Sequence, residues 1–295
     1  MLFKLIMKRG SMKIDILSDL HVDFYFKTKI TESSVRHLYG NILGDNTYQG
    51  TKCVGDILVV AGDIGHYNKQ NIQVLKLIKE VFGYKHIICV LGNHDYYLIN
   101  HGDRKNYFHR STFRAQRMRE IINKEDGMYC LDGNIIEIDG VKFGGCDSWY
   151  DGAYIREHFW KKSEEYMNGY VSLLWRRTMA DSDYILDMDW QTYAIKEKEK
   201  LQHIYQNVDV MITHVNPSIK KEHTDKKYRD LDTTGYFTFN GEELLRNGSM
   251  KYWIFGHTHD QMEYEMHGVK CICNPMGYPN ESMNGNAIRS MQIEI

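Results

Sequence analysis

Ile57-Leu58-Val59-Val60-Ala61-Gly62-Asp63 is a continuous apolar run closed by a glycine and an aspartate. A short unbroken run rich in β-branched residues fits a strand buried on both faces, which is how the strands of a largely parallel sheet read. Its polar end is where such a sheet carries chemistry, because ligands bind in the crevice beyond the carboxyl ends of the strands. The same signature recurs along the chain. Residues 12–17 run into Ser18-Asp19-Leu20-His21, and residues 87–91 into Gly92-Asn93-His94-Asp95. Residues 208–213 end at Thr213-His214, and residues 252–255 run into Gly256-His257-Thr258-His259. Between the second and third runs, Ile72, Leu75, Ile78 and Phe82 recur at helical spacing, so residues 71–82 predict a crossover helix.

A second set of runs alternates more: residues 134–138, 141–146, 262–267, 269–273 and 291–295. Asp139-Gly140 and His267-Gly268 are favoured two-residue hairpin turns. The pattern predicts a more antiparallel sheet facing the first, so the expected fold is α/β, two mixed sheets packed together with helices outside both. Residues 22–55 read as polar and irregular, 99–127 as helical and basic, and 150–207 as two or more helices rich in Trp and Tyr. These three read as insertions in a single domain spanning 1–295, because only 3 prolines occur and no linker-like tract is visible. Residues 1–11 precede the first clear strand and read as a leader.

Hydrophobic residues make up 42% of the 295, enough for a large core. The net charge of −2 excludes a whole-protein basic field for nucleic acid and leaves room only for a local patch. Six cysteines (Cys53, Cys89, Cys130, Cys146, Cys271 and Cys273) show no paired spacing, and three lie in apolar runs as reduced core thiols do. That pattern, with no signal-peptide core and no run long enough to span a membrane, predicts a cytoplasmic protein without a membrane partner. The sequence carries no signal for oligomeric state.

The residue types at the strand ends point to metals. A hydrolase attacking phosphorus needs a nucleophile at neutral pH and a sink for negative charge. Two divalent metals about 3.5–4 Å apart supply both by acidifying a bridging water and clamping the phosphoryl oxygens. Asp63 is the candidate for the shared carboxylate. Asp19, His21 and His259 then complete one metal site, and Asn93, His214 and His257 the other. Asn93 offers a neutral oxygen, which keeps the cluster attractive to phosphate. His257 and His259 alternate, so serving separate metals requires a turn between them.

In this order, Asp-x-His, Gly-Asp, Gly-Asn-His-Asp, His and Gly-His-x-His, the motifs resemble those of the calcineurin-like metallophosphoesterase superfamily over Asp19 to His259. The resemblance implies a four-layer α-β-β-α sandwich, a dinuclear centre of manganese, iron, zinc or nickel, and the same ligands. It also implies that His94 binds no metal but protonates the leaving oxygen, with Asp95 orienting its ring. Gly62-Asp63 continues as Ile64-Gly65-His66 without the arginine of the protein-phosphatase branch. The runs around Asp19, Asp63 and residues 273–278 are similar to those of the small cytosolic bacterial and phage members.

The expected function is therefore hydrolysis of a small or nucleotide-like phosphoester, as a phosphodiesterase or phosphatase, with manganese the favoured metal. Two alternatives stand beside it. A nuclease of the same superfamily would use Arg104, Lys105, Arg110, Arg114, Arg117 and Arg119, a run without an acid that reads equally as a solvated face. A catalytically inactive metal-binding scaffold would keep the fold for protein partners. Tyr96, Tyr97, Trp149, Tyr150, Tyr236 and Phe237 read as base-stacking or core aromatics, and Asp147 as a substrate contact or a turn. Asp181, Asp183, Asp187 and Asp189 read as a solvated helix boundary. The remaining histidines read as surface or structural, with His66 close enough to the Gly62-Asp63 loop to face the pocket.

Overall fold

Alternate residues of single strands enter two different cores, and this places two sheets face to face. Ile57, Val59 and Ala61 pack with Ile14, Ile16, Val210, Ile212, Ile254 and Ile272 in a core between the sheets. Leu58 and Val60, pointing the other way, join a core under helices with Leu75, Ile78 and Met118. The computed structural model of the chain describes residues 11–43, 54–159, 163–282 and 291–295. Cys53 and residues 1–10 of the expected leader lie outside them.

The strands are β1 (Lys13–Leu17), β2 (Ile57–Ala61), β3 (His86–Val90), β4 (Met128–Cys130), β5 (Asn134–Ile138), β6 (Val141–Gly145), β7 (Val210–Ile212), β8 (Tyr252–Phe255), β9 (Met262–Met266), β10 (Val269–Cys273) and β11 (Met291–Glu294). Among the described residues one sheet has the order β11-β1-β2-β3-β4 and the other β5-β6-β7-β8-β10-β9. Within each, the central pairs are parallel and the edge partners β11, β5 and β9 are antiparallel. Ser18 bridges Pro275 in parallel, so the ends of β1 and β10 join across the two sheets.

The helices supply the outer layers. These are α1 (Glu32–Leu43), α2 (Asn68–Phe82), α3 (Ser111–Ile122), α4 (Ala153–Phe159), α5 (Glu164–Thr178) and α6 (Trp190–Ile204). The first three cover the first sheet, with α2 against β3 and α3 against β4. On the second, α6 packs on β5 and β6, while α4 and α5 pack against the turn Asp232–Tyr236. The four-layer α/β expectation holds.

Three details differ from the sequence reading. Val210–Ile212 and Tyr252–Phe255 lie at the centre of the second sheet, not the first. A continuous apolar run reports that both faces are covered, and central strands of both sheets meet that condition. The alternating run at Met291–Glu294 edges the first sheet, antiparallel to β1. The stretch read as irregular contains α1, whose buried Val35, Tyr39 and Ile42 sit at helical spacing. Both predicted hairpins form, with positive φ at Asp139, Gly140, His267 and Gly268.

Candidate metal centre

The carboxyl ends of β1, β2, β3, β7 and β8 meet at one end of the sandwich. The loops after β1 and β2 are zipped together: Asp19 N donates to Gly62 O at 3.0 Å, and His21 N to Asp63 O at 3.1 Å. Five of the predicted ligands occupy the left-handed backbone region: Asp19, His21, Asp63, His257 and His259 have φ between 41° and 69°. Such conformations cost energy and persist where the surroundings over-determine them. Two glycines show how tightly the loops approach. A Cβ at Gly92 would lie 2.2 Å from Asp63 Oδ1, and one at Gly62 would lie 2.3 Å from His214 Nδ1.

The ligand residues fall into two groups. Asp19, His21, Asp63 and His259 each present a donor atom, all within 4.8 Å of one another. Asp63, His214 and His257 do the same. Asp63 is common to both. Asn93 Oδ1 joins the second group, 3.1 Å from His214 Nε2. Positive φ at His257 and His259, with Thr258 N donating to Gly256 O, makes the turn that sends the two imidazoles to different groups.

The far nitrogens fit the residues for metal. His214 Nδ1 donates to Ala61 O at 2.9 Å, and His257 Nε2 to Tyr236 O at 2.9 Å. His259 Nδ1 donates to Glu281 Oε2 at 2.8 Å. Each bond orients its ring so that the remaining nitrogen faces the shared centre, the usual device around a metal-binding imidazole. His21 Nε2 and His259 Nε2 face each other at 3.0 Å. His21 Nδ1 is buried without a partner among the described residues; its ring stacks on Tyr278 with centroids 4.5 Å apart.

The electrostatics agree. Burial lowers His214, but the Asp63 charge outweighs it and raises the imidazole to about 9. Burial likewise lowers His259, but hydrogen bonds to Asp19 and Glu281 outweigh it and raise the imidazole to about 10. Burial pushes His257 down to about 3. Against its own burial, Asp63 is held well below the usual carboxylate range by His214 and His94. Asp19 and Asp63 in the first group and Asp63 in the second thus set a negative potential where a cation would sit.

His94 stands apart from both ligand groups. Its Nε2 lies 4.0 Å from Asp63 Oδ2 and 3.2 Å from the Tyr278 hydroxyl, at the edge of the centre. Burial lowers it to about 4 against the pull of Asp63. Its Nδ1 meets His66 Nε2 at 2.8 Å, and His66 Nδ1 donates to Asp23 Oδ2 at 2.8 Å. The ring is therefore held by His66 rather than by Asp95. The Asp95 carboxylate accepts from Gly92 N, Ile64 N, Gly65 N and the Asn71 amide, and so ties the two loops together. Burial raises it to about 6.

Several residues the sequence left on the surface are buried here. Asp181 is fully buried and accepts from Asn93 Nδ2 at 2.8 Å and from the Tyr97 and Tyr150 hydroxyls. It turns the Asn93 oxygen toward the second group. Arg114 is 1% exposed and donates to Gly65 O, His94 O and Tyr97 O at 2.7, 2.8 and 3.1 Å. Arg119 bonds Asp147 and the Tyr96 hydroxyl, and Asp147 also accepts from Leu91 N. Arg117 pairs with Glu120 on its own helix. The arginine run is thus spent on loop carbonyls and local acids and forms no continuous cationic face. Tyr96, Tyr97, Trp149, Tyr150 and Tyr236 are core, whereas Phe237 stacks on His257 with centroids 4.8 Å apart. Asp23 beside Asp19-x-His21 and His66 beside Gly62-Asp63 had a signal in sequence proximity; Asp181 had none.

A cavity of about 450 Å³ opens on the centre, reaching Asp63, Asn93, His94, His257 and His259 at its floor. Among the described residues no helix is long and apolar enough to cross a membrane. A family model described as calcineurin-like phosphoesterase matches residues 12–261. The chain is 22% identical over 250 residues to an uncharacterized protein, L509, of Acanthamoeba polyphaga mimivirus, covering 80% of this chain and 84% of that one. Its fold is similar to that of the phosphopantetheinyl hydrolase of Mycobacterium tuberculosis, with a TM-score of 0.61, 15% identity and 95% of each chain covered.

Proposed function

The chain belongs to the calcineurin-like phosphoesterase family and is a metal-dependent phosphoesterase, and on that premise we propose that it hydrolyses a small phosphoester at a centre of two divalent cations sharing Asp63. The observation that carries this reading is the membership of Asp63 in both ligand groups, each completed by imidazoles whose far nitrogens are already bonded to oxygen. Asp19, His21 and His259 would hold one cation; Asn93, His214 and His257 the other. Carboxylate, amide oxygen and imidazole without thiolate suit manganese, iron, zinc or nickel, and manganese is the first choice for reconstitution. When bound, such a pair supplies an acidified water and offsets charge on the phosphoryl oxygens.

The side chains around that pair do the rest. His94 presents Nε2 toward the centre and donates a proton to the departing oxygen. Asp23 holds the proton of His66 on Nδ1. His66 Nε2 then accepts from His94 Nδ1, which fixes the His94 ring and favours its charged form, the form that carries the proton on Nε2. Arg114 and Asp95 hold the loops that carry Asp63, Asn93 and His94 at fixed separation. The test is hydrolysis of bis(4-nitrophenyl) phosphate and 4-nitrophenyl phosphate by protein loaded with manganese and by chelated protein. Manganese-dependent turnover of either ester, with two metals per chain by mass spectrometry, is expected. Full metal loading with no turnover of either would leave the scaffold reading in its place.

A further inference from the structure

The cavity's composition points to the kind of alcohol the ester carries. Resting on the phosphoesterase reading above, we infer that the substrate's leaving part is compact, uncharged and partly apolar, with hydrogen-bonding groups, and that nucleic acid and nucleotides bearing a further phosphate are excluded. Beyond the metal-binding floor the wall is built from Met179, Leu231, Phe237, Met262, Thr234 and Thr238. Among the described residues no lysine or arginine lines it. Of the basic groups nearest in sequence, Lys227 reaches the cavity's edge, where the lining residues Asp260 and Tyr228 engage it, and Arg229 is held by backbone carbonyls. Lys227 Nζ pairs with Asp260 at 2.9 Å and lies 4.5 Å from the Tyr228 ring centroid. Arg229 donates to Thr224 O at 2.8 Å and to Glu222 O at 3.1 Å.

Charge decides the class. The reacting phosphoryl group would meet the cations, but a second phosphate would enter a wall whose described residues offer it no unpaired cation and no guanidinium fork. Desolvating an anion without such partners is strongly unfavourable. Polynucleotides raise the same cost at every phosphate. The volume of about 450 Å³ is in the range for a single small ligand. Leu231, one of the apolar lining residues, is 46% exposed.

The wall also holds polar handles. Thr224 and Thr238 line the cavity, are 8% and 1% exposed, and have hydroxyls without a hydrogen-bond partner among the described residues. Buried polar atoms are nearly always paired, so rotation of either threonine about its first side-chain bond would bring a hydroxyl to the cavity, where a ligand group completes the bonding. A mainly apolar wall with a few such groups is how neutral small molecules are oriented.

The experiment compares three phosphate monoesters, each also as its methyl diester, on manganese-loaded protein. They are 4-phenylbutyl phosphate, adenosine 5′-monophosphate and adenosine 3′,5′-bisphosphate. The two nucleotides share a leaving oxygen and differ by one charged group. Expected kcat/KM falls from the first to the third, with the bisphosphate at least about tenfold below the monophosphate, the scale of one lost charge-assisted bond. Met179→Lys, which sets a cation in the wall, is expected to narrow that nucleotide gap about tenfold on the same scale. Bisphosphate cleaved as well as 4-phenylbutyl phosphate overturns the inference. So does a gap unchanged in Met179→Lys, or cleavage of bis(4-nitrophenyl) phosphate with no cleavage of either 4-phenylbutyl ester. Loss of all activity, bis(4-nitrophenyl) phosphate included, overturns the phosphoesterase reading and this inference with it.

Discussion

Replacing Arg114 with methionine tests whether a buried guanidinium, rather than the metals alone, holds the centre's loops in place. Methionine keeps most of the apolar stem and removes the charged fork. Three carbonyl oxygens, those of Gly65, His94 and Tyr97, lose their donor. Gly65 O keeps one bond from the Asn71 amide at 2.8 Å and His94 O one from Tyr97 N at 3.3 Å, so Tyr97 O is left bare. A hydrogen bond from a charged donor contributes about 1.5–3 kcal/mol net, and such bonds are not additive. Three such bonds, counted as less than additive, put the Arg114 change at about 3–5 kcal/mol. Set against a total stability of about 5–15 kcal/mol, that is a large share. At about 2–4 °C per kcal/mol for a chain somewhat smaller than this one, the midpoint should drop by roughly 10 °C. Urea and thermal unfolding measure it, and mass spectrometry of the equilibrated protein reads metal content, because the tethered loops carry Asp63 and Asn93. Arg114→Lys should fall between, since it restores charge without the fork. An Arg114→Met protein with the wild-type midpoint and full metal content would refute the tether.

His66→Gln should lower kcat by about 10–100-fold with metal content intact, and the loss should be larger for alkyl than for 4-nitrophenyl esters, because a poor leaving group depends more on the proton from His94. Equal losses on both ester types would remove His66 from the proton path. Asp63→Asn should empty both metal sites, as elemental analysis would read, and two metals retained per chain would contradict the shared carboxylate. For Asp23, burial raises the carboxyl, but the hydrogen bond and charge of His66 outweigh it and hold it below its ordinary 3.8. Because the folded value is depressed, the Asp23 contribution is present above 3.8 and is lost as pH falls through the lower folded value. The thermal stability difference between wild type and Asp23→Asn should therefore be constant from pH 7 to about 5 and shrink below pH 3.8. A difference that persisted unchanged to the lowest pH at which both proteins fold would contradict that linkage.

The sequence by itself determined the strands and the chemistry at their ends. Local pattern suffices for a strand such as Ile57–Ala61, and glycine before Asp63 and Asn93 announces a close approach that no side chain tolerates. It also marked the hairpin at Asp139-Gly140, where two successive positive φ angles demand such residues. Which sheet receives Val210–Ile212 lay beyond it, because burial on both faces looks alike in either layer. Only the tertiary structure brought Asp181 to Asn93, 88 positions away, and Arg114 to Gly65, 49 positions away. Those pairings arise from where helices and their connecting turns land on the sheets. A buried charge is legible only once its partners surround it: in one dimension Arg114 and Asp181 look like solvated surface residues, and folding alone supplies the carbonyls and hydroxyls that make their burial tolerable.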